Sequence, residues 1–270
     1  MTVDVAAAQR APARDLVPAN EILREITRGG VAGLIAGVLV AGVGGRLVMR
    51  LAALLVPESA GSFTENGNRI GDITLGGTFA LILFIGLFVG VVGGTLWVTV
   101  RPWLPASVGL RALISVPIAI ALGTKGLVDG ANPDFGVLGG STVVVASLVT
   151  LVALFGPILV MAEGWLDARL PHAREDDRRV IGGYTVVTLV GLFLGLMAVV
   201  PPYLGPEDLR PSGVALLVVG VATLACWRSR VIGRPLPGWV SPVARLAIAC
   251  AVIAGSAVAA AEVVEAIGRS

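Results

Sequence analysis

The 270-residue chain is 56% hydrophobic and only 14% charged, where an ordinary soluble domain is roughly a quarter charged. Its net charge is +2, and its apolar residues come in uninterrupted runs near the ~20 residues that cross a bilayer. These features exclude a water-facing globular protein, name lipid as the solvent, and give no footprint for a nucleic-acid partner.

Residues 1 to 28 read as a cytoplasmic tail. Its first part, to about residue 18, is rich in Ala and Pro and is expected to be disordered. After it, Asn20 is placed to cap a short interfacial helix. Ile22, Leu23 and Ile26 share one face of that helix, opposite Glu21, Arg24, Glu25 and Arg28. So many polar residues ahead of a long apolar run do not fit a cleavable signal peptide. Residues 29 to 270 then read as one transmembrane helical domain.

Seven apolar runs follow in order: Val31 to Val56, Gly77 to Val100, Ser107 to Gly123, Gly140 to Ala162, Val180 to Val200, Ser212 to Trp227 and Pro242 to Val264. The expected fold is therefore an all-α polytopic bundle. The third run carries Arg111 and Pro117, and the sixth has only 16 residues, roughly 24 Å as a helix; either is short enough to be re-entrant. If all seven cross, fourteen arginines fall on one side and four Lys or Arg on the other, alternating at every loop. The positive-inside rule then places the amino terminus in the cytoplasm and the carboxyl terminus outside. Trp97, Trp103, Trp165, Trp227 and Trp239 fall at the cytoplasmic ends, where aromatic rings settle at an interface.

Within the first run, Arg46 and Arg50 share one helix face. Counted from Val31, they lie roughly 22 Å and 28 Å deep in a ~30 Å hydrocarbon layer. Arg50 can snorkel outward, whereas Arg46 requires a partner or a ligand. Glu262 matches its depth from the last helix, with Glu265 three residues on. An Arg46–Glu262 ion pair is the expected arrangement, and a ligand or partner site is its functional alternative. The following outer loop places Glu65, Asn66, Asn68, Arg69 and Asp72 in close order. It is expected to be solvated, and is long enough to fold over the mouth of the bundle. Lys125, Asp129 and Asp134 fall on the same side.

Gly86, Gly90 and Gly94 form a small-residue stripe on the second helix, suited to close packing on another helix. Gly33 with Gly37, and Gly191 with Gly195, repeat it. The segment Gly86 to Gly90 and a later Pro102-Trp103-Leu104 resemble Gly191 to Gly195 and Pro202-Tyr203-Leu204. Because those spans run in opposite directions, this reads as a weak inverted repeat of the transporter type. Between Glu163 and Arg179, five acids, four arginines and His172 read as a solvated, internally paired loop.

Cys226 and Cys250 form no disulfide or zinc pattern. No nucleophile, metal cluster or cofactor motif is recognisable. Three classes of function remain: a non-enzymatic partner or assembly subunit of a membrane complex, as hetero- or homo-oligomer, is slightly favoured. A small-solute transporter comes second and an intramembrane enzyme third. Abundant Arg and Ala with a single Lys suggest a GC-rich bacterial genome, hence a bacterial cell membrane.

Overall fold

The computed structural model describes residues 18–57, 61–63, 71, 75–128, 142–172, 177–205 and 207–268. Seven helices in it are long and apolar enough to cross a membrane. They are α1 (Ala19–Leu55), α2 (Leu75–Trp103), α3 (Val108–Leu127), α4 (Thr142–Asp167), α5 (Arg178–Leu204), α6 (Arg210–Ile232) and α7 (Val240–Gly268). Even α3, with 20 residues, is ~30 Å long. The third and sixth runs are thus full-length helices, and Pro117 lies inside α3 without ending it. Gly233 stops α6 with φ 66°, a left-handed turn that suits glycine.

The helices alternate in direction, so one end of the bundle gathers the start of α1 and the ends of α2, α4 and α6. This is called the basic end, and the opposite one the far end. Among the described residues no separate interfacial helix precedes the first span. Residues 19–28 are the opening turns of α1, preceded by Pro18 with no side-chain cap bond. Arg24 and Arg28, expected on a solvated face, are buried. The disordered tail expected before them lies outside the described residues.

α1 is the central helix and packs on α2, α4 and α5, while α3 packs on α4 and α7, and α6 on α7. The α1–α2 contact is made by backbone. A Cβ on Gly33 would lie 2.3 Å from the Gly94 Cα, and one on Gly37 would lie 2.2 Å from the Gly86 carbonyl oxygen. In lipid, where apolar side chains gain little by leaving the solvent, such close approach supplies dispersion contacts that larger residues would prevent.

Beyond this contact both helices change pitch, through π-helical turns at Val38–Gly44 in α1 and Ile82–Gly86 in α2, which touch each other. An inserted residue rotates the remainder of a helix by about 100° relative to an unbroken one. α1 packs on α4 both before and after its π turn, with Gly44 at the end of that turn against Leu151. The same close approach recurs at Gly156 on the Ser115 carbonyl and at Gly255 on the Ala121 carbonyl.

The supposed repeat falls in unlike surroundings. Gly86 and Gly90 lie on the α1 backbone, whereas Gly191 has open space around it and Gly195 meets Thr95. Pro102 belongs to the tight turn that ends α2, and Pro202 lies within α5.

Gly33→Ala is expected to lower the thermal stability of the detergent-purified protein by at least the ~1–3 kcal/mol of an overpacked core, because backbone must move. Gly191→Ala, with no atom within 4 Å of the added methyl group, is expected to leave it unchanged or slightly higher. Equal melting temperatures for the two variants would contradict the backbone contact.

Candidate functional site

At the basic end four helices converge on one carboxylate. Glu163, near the end of α4, is 3% exposed. Its Oε1 accepts from Arg28 Nε of α1 at 3.2 Å, and its Oε2 accepts from Trp97 Nε1 of α2 at 3.1 Å. Arg101, just past the α-helical part of α2, contacts Oε1 as an ion pair without hydrogen-bond alignment. Arg111 of α3 lies 3.8 Å from Oε2, and its guanidinium also donates to the Pro105 and Ala106 carbonyls of the α2–α3 turn, each at 3.1 Å.

A second layer surrounds this centre. Asp167, one turn beyond Glu163, pairs with both Arg28 and Arg24. Arg24 also donates to the Asp167 carbonyl at 2.8 Å and to Glu21 at 2.9 Å. Arg230 of α6 holds Glu25 of α1 through two parallel bonds of 2.8 Å, the geometry in which guanidinium and carboxylate match best. Trp103 donates to Thr223 at 2.8 Å, and Thr223 donates to the Thr99 carbonyl at 2.6 Å, tying α2 to α6.

Two readings of the sequence are corrected here. Glu163 is not part of a solvated loop, because α4 continues to Asp167 and carries it into the bundle. Trp97 and Trp103 are not interfacial rings: they are 4% and 5% exposed, with their N–H groups committed inside. Trp165 and Trp239 are exposed at that end. His172 lies at the surface, its Nδ1 3.3 Å from Glu21.

At the far end, Lys125 of α3 donates 2.6 Å bonds to Glu262 of α7 and to Asp208 before α6. The Lys125 hydrogen bond holds the Asp208 carboxyl below its ordinary range, against the effect of burial. A depressed carboxylate pKa means this contribution is complete above the ordinary carboxylate range and lost as pH falls through the lowered value. Glu262 is therefore the partner of Lys125, and among the described residues it makes no ion pair with Arg46. Depth along a helix matched the two, but α7 packs on α3 and α6 while α1 packs on α2, α4 and α5.

Arg46 is 4% exposed, with Met49 Sδ 3.9 Å from its guanidinium. Arg50 is exposed and donates to the Gly71 carbonyl at 2.5 Å. Glu265 is exposed on α7. Glu65, Asn66, Asn68, Arg69, Asp72, Asp129 and Asp134 lie outside the described residues.

Between these two clusters lies a half-open cavity of 440 Å³ among α1, α2, α3 and α4, with Phe88 of its lining exposed on the outer face. Trp97, Val100 and Ser115 line its basic end, and Lys125 and Leu209 its far end. Between them the lining is apolar, with Phe88 and Phe155 among the largest groups. The span from Ser115 to Leu127 on α3 makes it roughly 18 Å long. Its ends touch both polar clusters: Trp97 also serves Glu163, and Lys125 also serves Glu262.

The cluster around Glu163 was not singled out in the sequence, although Arg24 and Arg28 stand one turn apart and Glu163 directly follows an apolar run. Those spacings allow a shared helix face but say nothing of what the face meets. The chain matches no protein-family model, and no curated protein or solved structure is significantly similar to it.

Glu163→Gln is expected to lower stability by about 3 to 5 kcal/mol, since it leaves Arg28, Arg101 and Arg111 gathered around a neutral group. Glu207→Gln, at an exposed site, is expected to change it by less than about 0.5 kcal/mol. Thermal unfolding of both variants in one detergent checks the difference.

Proposed function

We propose that this protein is a cell-membrane carrier or receptor for a small apolar or amphipathic molecule, held in the cavity among α1 to α4. The cavity is the observation that carries the reading. Small-molecule sites occupy roughly 300–1,000 Å³, are mostly apolar, and present a few convergent polar groups. The 440 Å³ space has that character, with Ser115 and Lys125 as its polar lining groups.

This reading belongs to the solute-handling class instead of the assembly-subunit class favoured on sequence alone. That preference rested on polar features at one rim and the lack of a path through the middle. The buried charges instead stand at both ends, with the cavity between them. The assembly reading keeps one supporting observation: α5 is peripheral, and Gly182, Gly183 and Gly191 on it have no atom near an added Cβ, leaving room for another helix.

A saturable interior site predicts a specific result. A radiolabelled long-chain fatty alcohol should bind the purified protein in phosphatidylcholine nanodiscs at a fixed stoichiometry. Ala119→Phe, which fills the cavity, should weaken binding by about tenfold or more, the equivalent of ~1.4 kcal/mol. Val186→Phe on the lipid-facing side of α5 should not. Non-saturable uptake equal in all three proteins would sink the proposal.

The proposed orientation places the basic end in the cytoplasm of a bacterium. It follows from the fourteen-to-four division of basic residues. A reporter that fluoresces only in the cytoplasm should light up when fused after Arg234 and stay dark after Lys125 or Arg269. The reverse pattern would invert the molecule in the membrane.

A further inference from the structure

The charges at the basic end do not balance locally. Arg24 pairs with Glu21 and shares Asp167 with Arg28, and Arg230 holds Glu25, whose charge also attracts Arg28 and Arg101, so five arginines face four acids. Arg28, Arg101 and Arg111 all converge on Glu163, which among the described residues is the one acid within ion-pair distance of Arg101 and Arg111. Three guanidinium groups around one carboxylate leave an excess of positive charge. It falls on Arg101 and Arg111, because Arg28 has a second acid in Asp167. Both side chains remain partly open, at 24% and 15% exposure.

These two arginines lie just beyond the cavity's basic end and are not among its lining groups. Arg101 follows Val100, a lining residue, and Arg111 precedes Ser115, another, by one helical turn. Trp97 joins the two features directly, since it lines the cavity and donates to the carboxylate that Arg101 and Arg111 share. An apolar shaft roughly 18 Å long, ending beside an unbalanced pair of guanidinium groups, is complementary to a molecule with a hydrocarbon tail and an anionic head. Guanidinium favours phosphate among such heads, because its planar N–H fork meets phosphate oxygens two at a time. Basic pockets between membrane helices recognise lipid head groups on this principle.

We infer that the ligand of the cavity is a lipid whose phosphate head carries net negative charge, unlike a zwitterionic phosphocholine, its tail between α1 and α4 and its phosphate on Arg101 and Arg111. The inference rests on the cavity reading above. Glu163 then serves as the fixed counter-charge that keeps the arginines gathered when the lipid is absent. It also limits affinity, because an arriving phosphate must share those guanidinium groups with it.

The test compares two single-chain lipids of equal chain length, lysophosphatidic acid and lysophosphatidylcholine, binding to the full-length protein in phosphatidylcholine nanodiscs. Lysophosphatidic acid should bind about tenfold or more tightly, the scale of one or two charge-assisted hydrogen bonds. Arg111→Gln and Arg101→Lys should each shrink that preference without removing the binding shared by both lipids. Two variants are used because both arginines also contact Glu163, Arg111 at the longer distance, so the loss of one fold would not decide the matter. Ala119→Phe should weaken both lipids together. Inorganic phosphate, which leaves the shaft unfilled, should compete poorly; displacement of the lipid by phosphate at equal concentration would make the site one for the free ion and overturn the lipid assignment. Equal affinity of the wild-type protein for the two lipids would also overturn it while leaving the cavity reading intact. Binding of neither lipid nor the fatty alcohol would remove both.

Discussion

Inside a bilayer the solvent is as apolar as the side chains it surrounds, so burying leucine against leucine does not select one arrangement of helices over another. A carboxylate in that setting must find cations and donors, and those it finds determine which helices are neighbours. Glu163 has this role. Its contacts with Arg28, Trp97, Arg101 and Arg111 bring together α1, α2, α3 and α4, the four helices that wall the cavity. The far end repeats the device on a smaller scale, with Lys125 joining α3, α7 and the segment before α6.

Glycine does the complementary work along the helix lengths. Where Gly33 and Gly37 meet Gly86, Gly90 and Gly94, the two backbones are too close for any side chain between them. This contact brings the start of α1 beside the end of α2, within reach of Glu163. α1 packs on α2 and α4 together before its π turn and stays on α4 beyond it. Val40 and Ile85, both in the π turns, stand along the cavity wall.

Clamped ends and an unfilled middle form a mechanical whole. Ion pairs at both ends hold the helices at a separation that the small and apolar side chains between them do not fill completely. In water such a void would lose dispersion contacts to no purpose. In a membrane, lipid tails of matching polarity surround the bundle. An interior site for a tailed molecule is then a modest extension of ordinary packing.

Much of this was legible in the sequence. Run length and composition determined seven helices, and regular spacing picked out Gly86, Gly90 and Gly94 as a packing face. The structure buries Arg46 and exposes Arg50. The neighbours were not readable. Glu262 was matched to Arg46 by depth and belongs to Lys125, and Glu163 was assigned to a loop and stands among three arginines. Sequence determines how far along a helix a residue lies and which residues share its face, since both come from the geometry of one helix. Which face turns toward which neighbour depends on contacts between helices distant in the chain, and only the tertiary structure decides that.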